Sequence, residues 1–241
     1  MTQFAIEKLE EQINKFIWYH TIDLGNGLIT PGLYDHRPYL KFYGFPEDLK
    51  GKRVLDIGTL NGFFAFEFER RGAKVVATEL PDWLDHDFGP DYKIDRPLEV
   101  LKSYLHESFE LAKKILNSKV EKILTNIYEI SPEKLGYFDL VFCGSLLLHL
   151  TDPIKALWNI KKITQEIAII ATAIQPEEDP IPQALYIGHS SADTWWLPNK
   201  ACLIEMIKSA GFSRVEWFSK FRLDYRNGQP GWFHGVVHAK I

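Results

Sequence analysis

Three features of the 241-residue chain predict an α/β fold built on a doubly wound sheet. Short apolar runs alternate with helical patterns five times before a final pair of strands, the order that builds parallel strands joined by crossover helices. One run, Val54-Leu-Asp-Ile57, passes through Gly58-Thr-Leu-Asn-Gly62 straight into a helical stretch, as in strand–turn–helix units that bind ligands. Another, Phe138 to Gly144, is short and apolar, as a strand buried on both faces should be. Composition agrees, since 46% hydrophobic and 25% charged residues suffice for a large core in an ordinary globular chain. A net charge of −4 gives no broad electrostatic footprint for nucleic acid. Cys143 and Cys202 are too few for a disulfide framework or a cysteine-rich zinc site, which points to a reducing compartment. No apolar stretch is long enough to span a bilayer, and Met1 to Glu11 carries acids. A cytoplasmic protein without a membrane partner is expected.

Taken in order, Leu9, Ile13, Phe16 and Ile17 recur at helical spacing and predict an amphipathic helix across the first twenty residues. Trp18 to Gly32 is turn-rich, carries His20 and Asp23, and reads as too polar for core. Residues 1–50 thus form a helix and lid segment, followed without a linker by a ligand-binding domain at 51–241. Phe63 to Arg71 reads as a helix stopped by Gly72, and Lys74 to Thr78 as a strand ending in Glu79, an acid placed where ribose hydroxyls would lie. An insertion at 81–118 opens on a loop with Trp83, Asp85, His86 and Asp87. These are metal-ligand types, but no second histidine follows at helical spacing, so no metal is expected and the loop reads as solvated beside a site mouth. Leu101, Leu105, Phe109, Ala112 and Leu116 then share one helical face.

Val120 to Thr125 reads as the third strand, and the fourth, Phe138 to Gly144, leads into Ser145-Leu-Leu-Leu-His149-Leu-Thr-Asp152-Pro153, with Pro153 starting a helix. Glu166 to Ala173 is the fifth. A Pro-rich loop from 174 to 198 ends in Trp195-Trp196-Leu-Pro, Asn199 caps a helix through Ala210, and Arg214 to Ser219 and Phe233 to Ala239 close the sheet.

Gly58 and Gly62 lack a Cβ and let backbone approach a ligand at a helix start. A dinucleotide fingerprint would also need glycines at positions 60 and 63, where Leu60 and Phe63 stand, so a ligand without phosphates suits the turn better. Val54 to Gly62 followed by Val75-Val-Ala-Thr-Glu79 resembles the first two motifs of the class I S-adenosylmethionine (SAM) dependent methyltransferases, and Ser145 to Pro153 resembles their fourth. The stretch from Trp18 to Gly32 is similar to the segment before the SAM domain in a subgroup that includes the tRNA wobble-uridine carboxymethyltransferases.

The resemblance implies a Rossmann-like, seven-stranded, mostly parallel sheet with an antiparallel last strand. It also implies SAM as cofactor, with S-adenosylhomocysteine (SAH) as product. Asp56, Gly58, Thr59, Asn61 and Gly62 would hold the methionine part, Glu79 the ribose, and Asn126 and Ile127 the adenine, while Gly144 and Ser145 line the floor. His149 is the best candidate for a catalytic base, with His20 and His189 weaker. Trp18, Tyr19, Tyr34, Trp195 and Trp196 are expected near the mouth, able to stack a planar substrate. The carboxymethyltransferases use a carboxylated SAM, held in part by a tyrosine before the motif-four histidine. Here that position is Leu148, which cannot donate a hydrogen bond. Plain SAM and methyl transfer to a small molecule are therefore expected, with tRNA as the second acceptor. Without an unambiguous base, a non-catalytic SAM-binding protein is the alternative from another class.

Overall fold

The computed structural model describes residues 3–188 and 193–241. Helix α1 (Gln3–Ile13), a hairpin of β1 (Asp23–Gly25) and β2 (Leu28–Ile29), and the short helix α2 (Leu40–Tyr43) precede the sheet. There follow β3 (Arg53–Ile57), α3 (Phe63–Arg70), β4 (Lys74–Glu79), α4 (Leu98–Lys102), α5 (Ser108–Leu116), β5 (Glu121–Leu124) and α6 (Pro132–Leu135). The remainder is β6 (Phe138–Gly144), α7 (Pro153–Ile163), β7 (Thr164–Ala173), a second hairpin of β8 (Ala184–Tyr186) and β9 (Trp196–Pro198), α8 (Lys200–Ser209), β10 (Arg214–Leu223) and β11 (Trp232–Lys240).

Seven strands form one sheet in the order β10-β11-β7-β6-β3-β4-β5. From β7 through β5 the neighbours pair in parallel, and β11 runs antiparallel between β7 and β10. The expected doubly wound sheet with an antiparallel last strand is therefore present. Its winding reverses between β3 and β6, which opens a crevice beyond the carboxyl ends of those strands. Alternate residues of each strand enter different cores. Val54, Leu140, Phe142 and Ile169 pack with Phe64 and Phe68 of α3, whereas Leu55, Val141, Cys143 and Ile170 pack with Leu157 and Ile160 of α7 and Leu203 of α8.

Local chemistry fixes the helix starts near the crevice. Asp152 accepts from the Lys155 N–H at 3.0 Å with Pro153 in the first turn of α7, and Asn199 accepts from the Cys202 N–H at 2.8 Å at the start of α8. Leu101, Leu105, Phe109 and Ala112 form one buried face through α4, a π-helical turn at Ser103–Glu107, and α5.

Four expectations are corrected. Helix α1 stops at Ile13, leaving Phe16 and Ile17 beyond it. Strand β10 runs on to Leu223 because it pairs with β11 along its length, across a bulge between Trp217 and Ser219. The loop at 174–198 is not bare, for it carries the β8–β9 hairpin. Most consequential, the segment from Trp18 to Gly32 turns one face into the core: Trp18, His20, Thr21, Ile22, Leu24, Leu28 and Thr30 are buried, while Asp23, Gly25, Asn26, Gly27 and Ile29 stay exposed. Most of its polar groups find partners inside, His20 Nδ1 being the exception. Trp18 Nε1–H donates to the Ile13 carbonyl at 2.8 Å, and Thr30 Oγ1 donates to the His20 carbonyl and accepts from the Ile22 N–H, both at 2.7 Å.

Candidate active site

The crevice holds a void with two lobes that share Gly58, Glu79, His86, Asp87, Leu146 and His149. The smaller lobe, about 460 Å³, runs past Leu80, Thr125, Asn126 and Ile127 at the ends of β4 and β5. The larger, about 990 Å³, passes Asp56, Gly144 and Ser145 at the ends of β3 and β6. It opens toward Tyr19, His20, Trp83, Phe88 and Tyr104.

The turn after β3 is held by β4. The N–H groups of Gly58 (φ +71°) and Thr59 both donate to the Thr78 carbonyl, at 2.9 and 3.0 Å. Leu60, also at positive φ (+45°), donates its N–H to Glu79 Oε2 at 2.8 Å, and the Leu80 N–H donates to Oε1 at 2.8 Å. One carboxylate thus fixes the turn and lines both lobes, each oxygen keeping a lone pair beyond its one backbone donor. Burial raises the Glu79 pKa above the usual carboxylate range. Asp56 is 2% exposed, its Oδ2 has no hydrogen-bond partner, and burial pushes its pKa up to about 7. An orphaned carboxylate oxygen on a cavity wall is a place for a ligand cation or donor.

Of the predicted site residues, the structure brings Asp56, Gly58, Glu79, Asn126, Ile127, Gly144, Ser145 and His149 around the void. Thr59, Asn61 and Gly62 do not line it. Thr59 is buried within the turn. Gly62 (φ +93°) faces inward, where an added Cβ would lie 2.6 Å from Phe66 and 2.7 Å from Phe109. Asn61 is fully spent on protein: Oδ1 accepts from the Tyr19 and His20 N–H groups, and Nδ2 donates to the Tyr104 carbonyl and Ser108 Oγ. It ties the N-terminal wall of the void to the wall made by the insertion.

His149 Nδ1 lies 2.6 Å from the Asp193 carbonyl, an acceptor, so Nδ1 carries the proton and Nε2 is the basic nitrogen. His20 also lines the void, and burial lowers its pKa to about 3, leaving it neutral. His189 lies outside the described residues. Among the expected aromatics, Tyr19 alone lines a lobe. Trp18 is core, Tyr34 stacks on Tyr225, and Trp196 turns to Tyr186 and the Thr151 carbonyl. Trp195 donates its ring N–H to the Asp87 carbonyl at 2.7 Å, joining the 174–198 loop to the insertion.

Sequence reasoning missed the inner role of the 81–92 loop. Asp87 Oδ2 accepts from Tyr128 Oη–H and from the N–H and hydroxyl of Thr151, the latter two at 2.7 Å, which draws the loop across the crevice. The run of Trp83, Phe88 and Tyr92 among acids was the available signal, because aromatics at that density seldom lie free in solvent. A second unforeseen contact joins Ser145 Oγ to His234 Nε2 at 3.0 Å. His234 Nδ1–H donates to the Trp232 carbonyl, so Nε2 accepts from the serine hydroxyl.

Solved structures with the same architecture set the family of folds. The N-terminal domain of EvdMO1 with SAH bound superposes with a TM-score of 0.66 at 18% identity, over 100% of this chain and 97% of that one. A SAM-dependent methyltransferase from Aquifex aeolicus gives 0.52 at 18%, over 87% and 90%. The fold is that of the class I methyltransferases. Magnesium protoporphyrin IX methyltransferase from Synechocystis PCC 6803 with bound SAH shares it, with a TM-score of 0.53 at 13% identity over 80% of this chain and 75% of that one. In sequence, the chain is similar to the tRNA U34 carboxymethyltransferase of Pseudomonas putida (strain GB-1), 28% identical over 173 residues. Its similarity to the Pseudomonas aeruginosa (strain LESB58) enzyme is also 28%, over 171 residues. These matches cover 70% and 69% of this chain but only 48% and 46% of the relatives, so the chain spans about half the length of the curated relatives it matches. No protein-family model matches.

Proposed function

We propose that the protein is a SAM-dependent methyltransferase acting on a small-molecule acceptor. The observation that carries this reading is the convergence of Asp56, Gly58, Glu79, Asn126 and Ile127 on one void that His149 also lines. The orphaned Asp56 oxygen suits the ammonium of a methionine moiety, Glu79 suits a ribose diol, and the Asn126–Ile127 end of the smaller lobe suits adenine. When bound, SAM supplies a methyl already activated by its sulfonium. The protein's own task is then to orient the acceptor in line, exclude water and remove a proton where the acceptor carries one. His149, with Nε2 basic, is placed for the proton. Calorimetry tests the reading: SAM and SAH should bind well below millimolar, and a nicotinamide dinucleotide should not. The reverse order would move the protein to the dinucleotide class. Glu79→Ala should weaken SAH binding by about 1–3 kcal/mol, and an unchanged affinity in a folded variant would remove Glu79 from the ribose.

The donor is read as plain SAM. Among the described residues, no lysine or arginine lines either lobe, while Asp56, Glu79, Asp85 and Asp87 do. Leu148 packs with Ala173 and Leu197, outside the void. An extra carboxylate on the donor would be desolvated without a cation to meet it. In competition at equal concentration, carboxylated SAM should fail to displace SAM. If it displaces SAM, the second reading, tRNA carboxymethylation, gains the lead that sequence similarity to the U34 enzymes offers it. No described helix is long and apolar enough to cross a membrane, and two free cysteines favour the cytoplasm.

A further inference from the structure

The loop over the crevice brings a second imidazole to the void. His86 Nδ1 lies 2.7 Å from the Trp83 carbonyl, so it donates there and Nε2 is left basic, the same arrangement that the Asp193 carbonyl imposes on His149. Both rings line both lobes. Position is fixed on each side: His86 stacks on Phe88 (5.1 Å, 18°) and packs on Trp83 (4.6 Å), and Phe88 in turn stacks on Tyr92 at 3.6 Å. Asp87, the next residue, anchors the loop through Tyr128 and Thr151.

We propose that His86 is a second catalytic base beside His149, and that the acceptor they serve is an uncharged hydroxyarene. This rests on the methyltransferase reading. The walls of the larger lobe away from the glycine turn are aromatic, with Tyr19, Trp83, Phe88 and Tyr104, which suits a flat ring. The charges argue against an anion, since carboxylates line the lobes and no lysine or arginine does among the described residues. They also argue against a second cation. Asp87 is engaged by three donors, Asp85 Oδ2 accepts from the Asp82 N–H, and Glu79 holds two backbone N–H groups. A neutral acceptor with a removable proton is what two imidazoles holding Nε2 toward the void can use. In the step, the hydroxyl proton passes to an imidazole Nε2, the oxygen pair forms the bond to the methyl carbon of SAM, and the carbon–sulfur pair leaves on sulfur, giving aryl methyl ether, imidazolium and SAH. Burial lowers the His86 pKa, which keeps the ring unprotonated and able to accept.

The test uses the full chain with methyl-labelled SAM and four probes: 1-naphthol and 2-naphthol as neutral hydroxyarenes, benzoate and uridine 5′-monophosphate as anions. Label should enter the hydroxyarenes; His86→Gln should slow that transfer several-fold while His149 remains, and His86→Gln combined with His149→Gln should slow it by about 100-fold, with SAH affinity staying within about two-fold. Label in the anions alone, in none of the four, or at full rate in His86→Gln overturns the proposal. SAH calorimetry on the same protein separates this from failure of the methyltransferase reading, which would show as no SAH binding. A measurement without any variant stands beside it. Nitrogen-15 correlation spectra of the histidine rings should show His86 and His149 both protonated at Nδ1 and bare at Nε2, and an Nε2–H tautomer at His86 overturns its role as a base.

Discussion

Asn61→Ala is expected to cost about 3 kcal/mol or more of folding stability, roughly 6–12 °C in Tm for a chain of this size. Asn61 is fully buried and makes four hydrogen bonds, accepting from the Tyr19 N–H at 2.6 Å and the His20 N–H at 3.2 Å, and donating to the Tyr104 carbonyl at 3.2 Å and Ser108 Oγ at 2.6 Å. Alanine strands the two backbone donors of Tyr19 and His20 where they meet the buried Asn61, and each such orphan costs about 1–3 kcal/mol. Asn61→Asp keeps the acceptor but loses both donors and buries a charge, so it should do no better. Because Tyr19, His20 and Tyr104 are also walls of the void, SAH affinity should fall in parallel with stability. Denaturant unfolding measures the first effect. A midpoint within error of wild type would mean that the asparagine is not the tie between these walls.

That residue also marks the limit of what sequence could show. Asn61 sits between two glycines of a ligand-binding turn, so a polar side chain there reads as a ligand contact. Its actual partners lie at positions 19, 20, 104 and 108, and no local pattern announces them. The same non-locality misled the reading of Trp18 to Gly32 as too polar for core. Composition records how many polar groups a segment has, but burial depends on whether they are paired, and here the Tyr19 and Ile22 N–H groups and the Thr30 hydroxyl are paired with the segment itself and with Asn61. The 81–92 loop read as solvated for the related reason that Asp87 is held by Tyr128 and Thr151, which arrive from two later crossovers. Trp195 and Trp196 show a finer case. Only the Trp195 ring N–H reaches the loop over the crevice, while that of Trp196 goes to the Thr151 carbonyl. By contrast most of the sheet was legible, because each strand's apolar run and each helix start is a local pattern. The span of β6, the helix start at Pro153 and the Asn199 cap follow from a few neighbouring residues.

Asp56→Asn is expected to make the ligand-free protein more stable at neutral pH while weakening SAM binding. Burial raises the Asp56 carboxyl from 3.8 to about 7. Between those values the folded protein holds a proton that the unfolded chain has lost, so stability falls as pH rises, by about 1.4 kcal/mol per unit. The loss sums to the order of 4 kcal/mol and levels off above pH 7, once the folded state is ionised too. Asparagine has no such proton. The variant's advantage over wild type should therefore be nil near pH 4, grow steadily, and be largest near pH 8, and comparing the two chains cancels the titration of every other group. Binding should run the other way. A methionine ammonium beside Asp56 favours the carboxylate, so SAH binding near pH 6 to 7 should expel a proton from wild type, seen as a dependence of the calorimetric enthalpy on the ionisation enthalpy of the buffer. In Asp56→Asn that dependence should vanish and affinity should drop. A variant that is less stable than wild type at pH 8, or that binds SAH as tightly with the same proton release, would place the titrating group elsewhere and leave Asp56 with a structural part only.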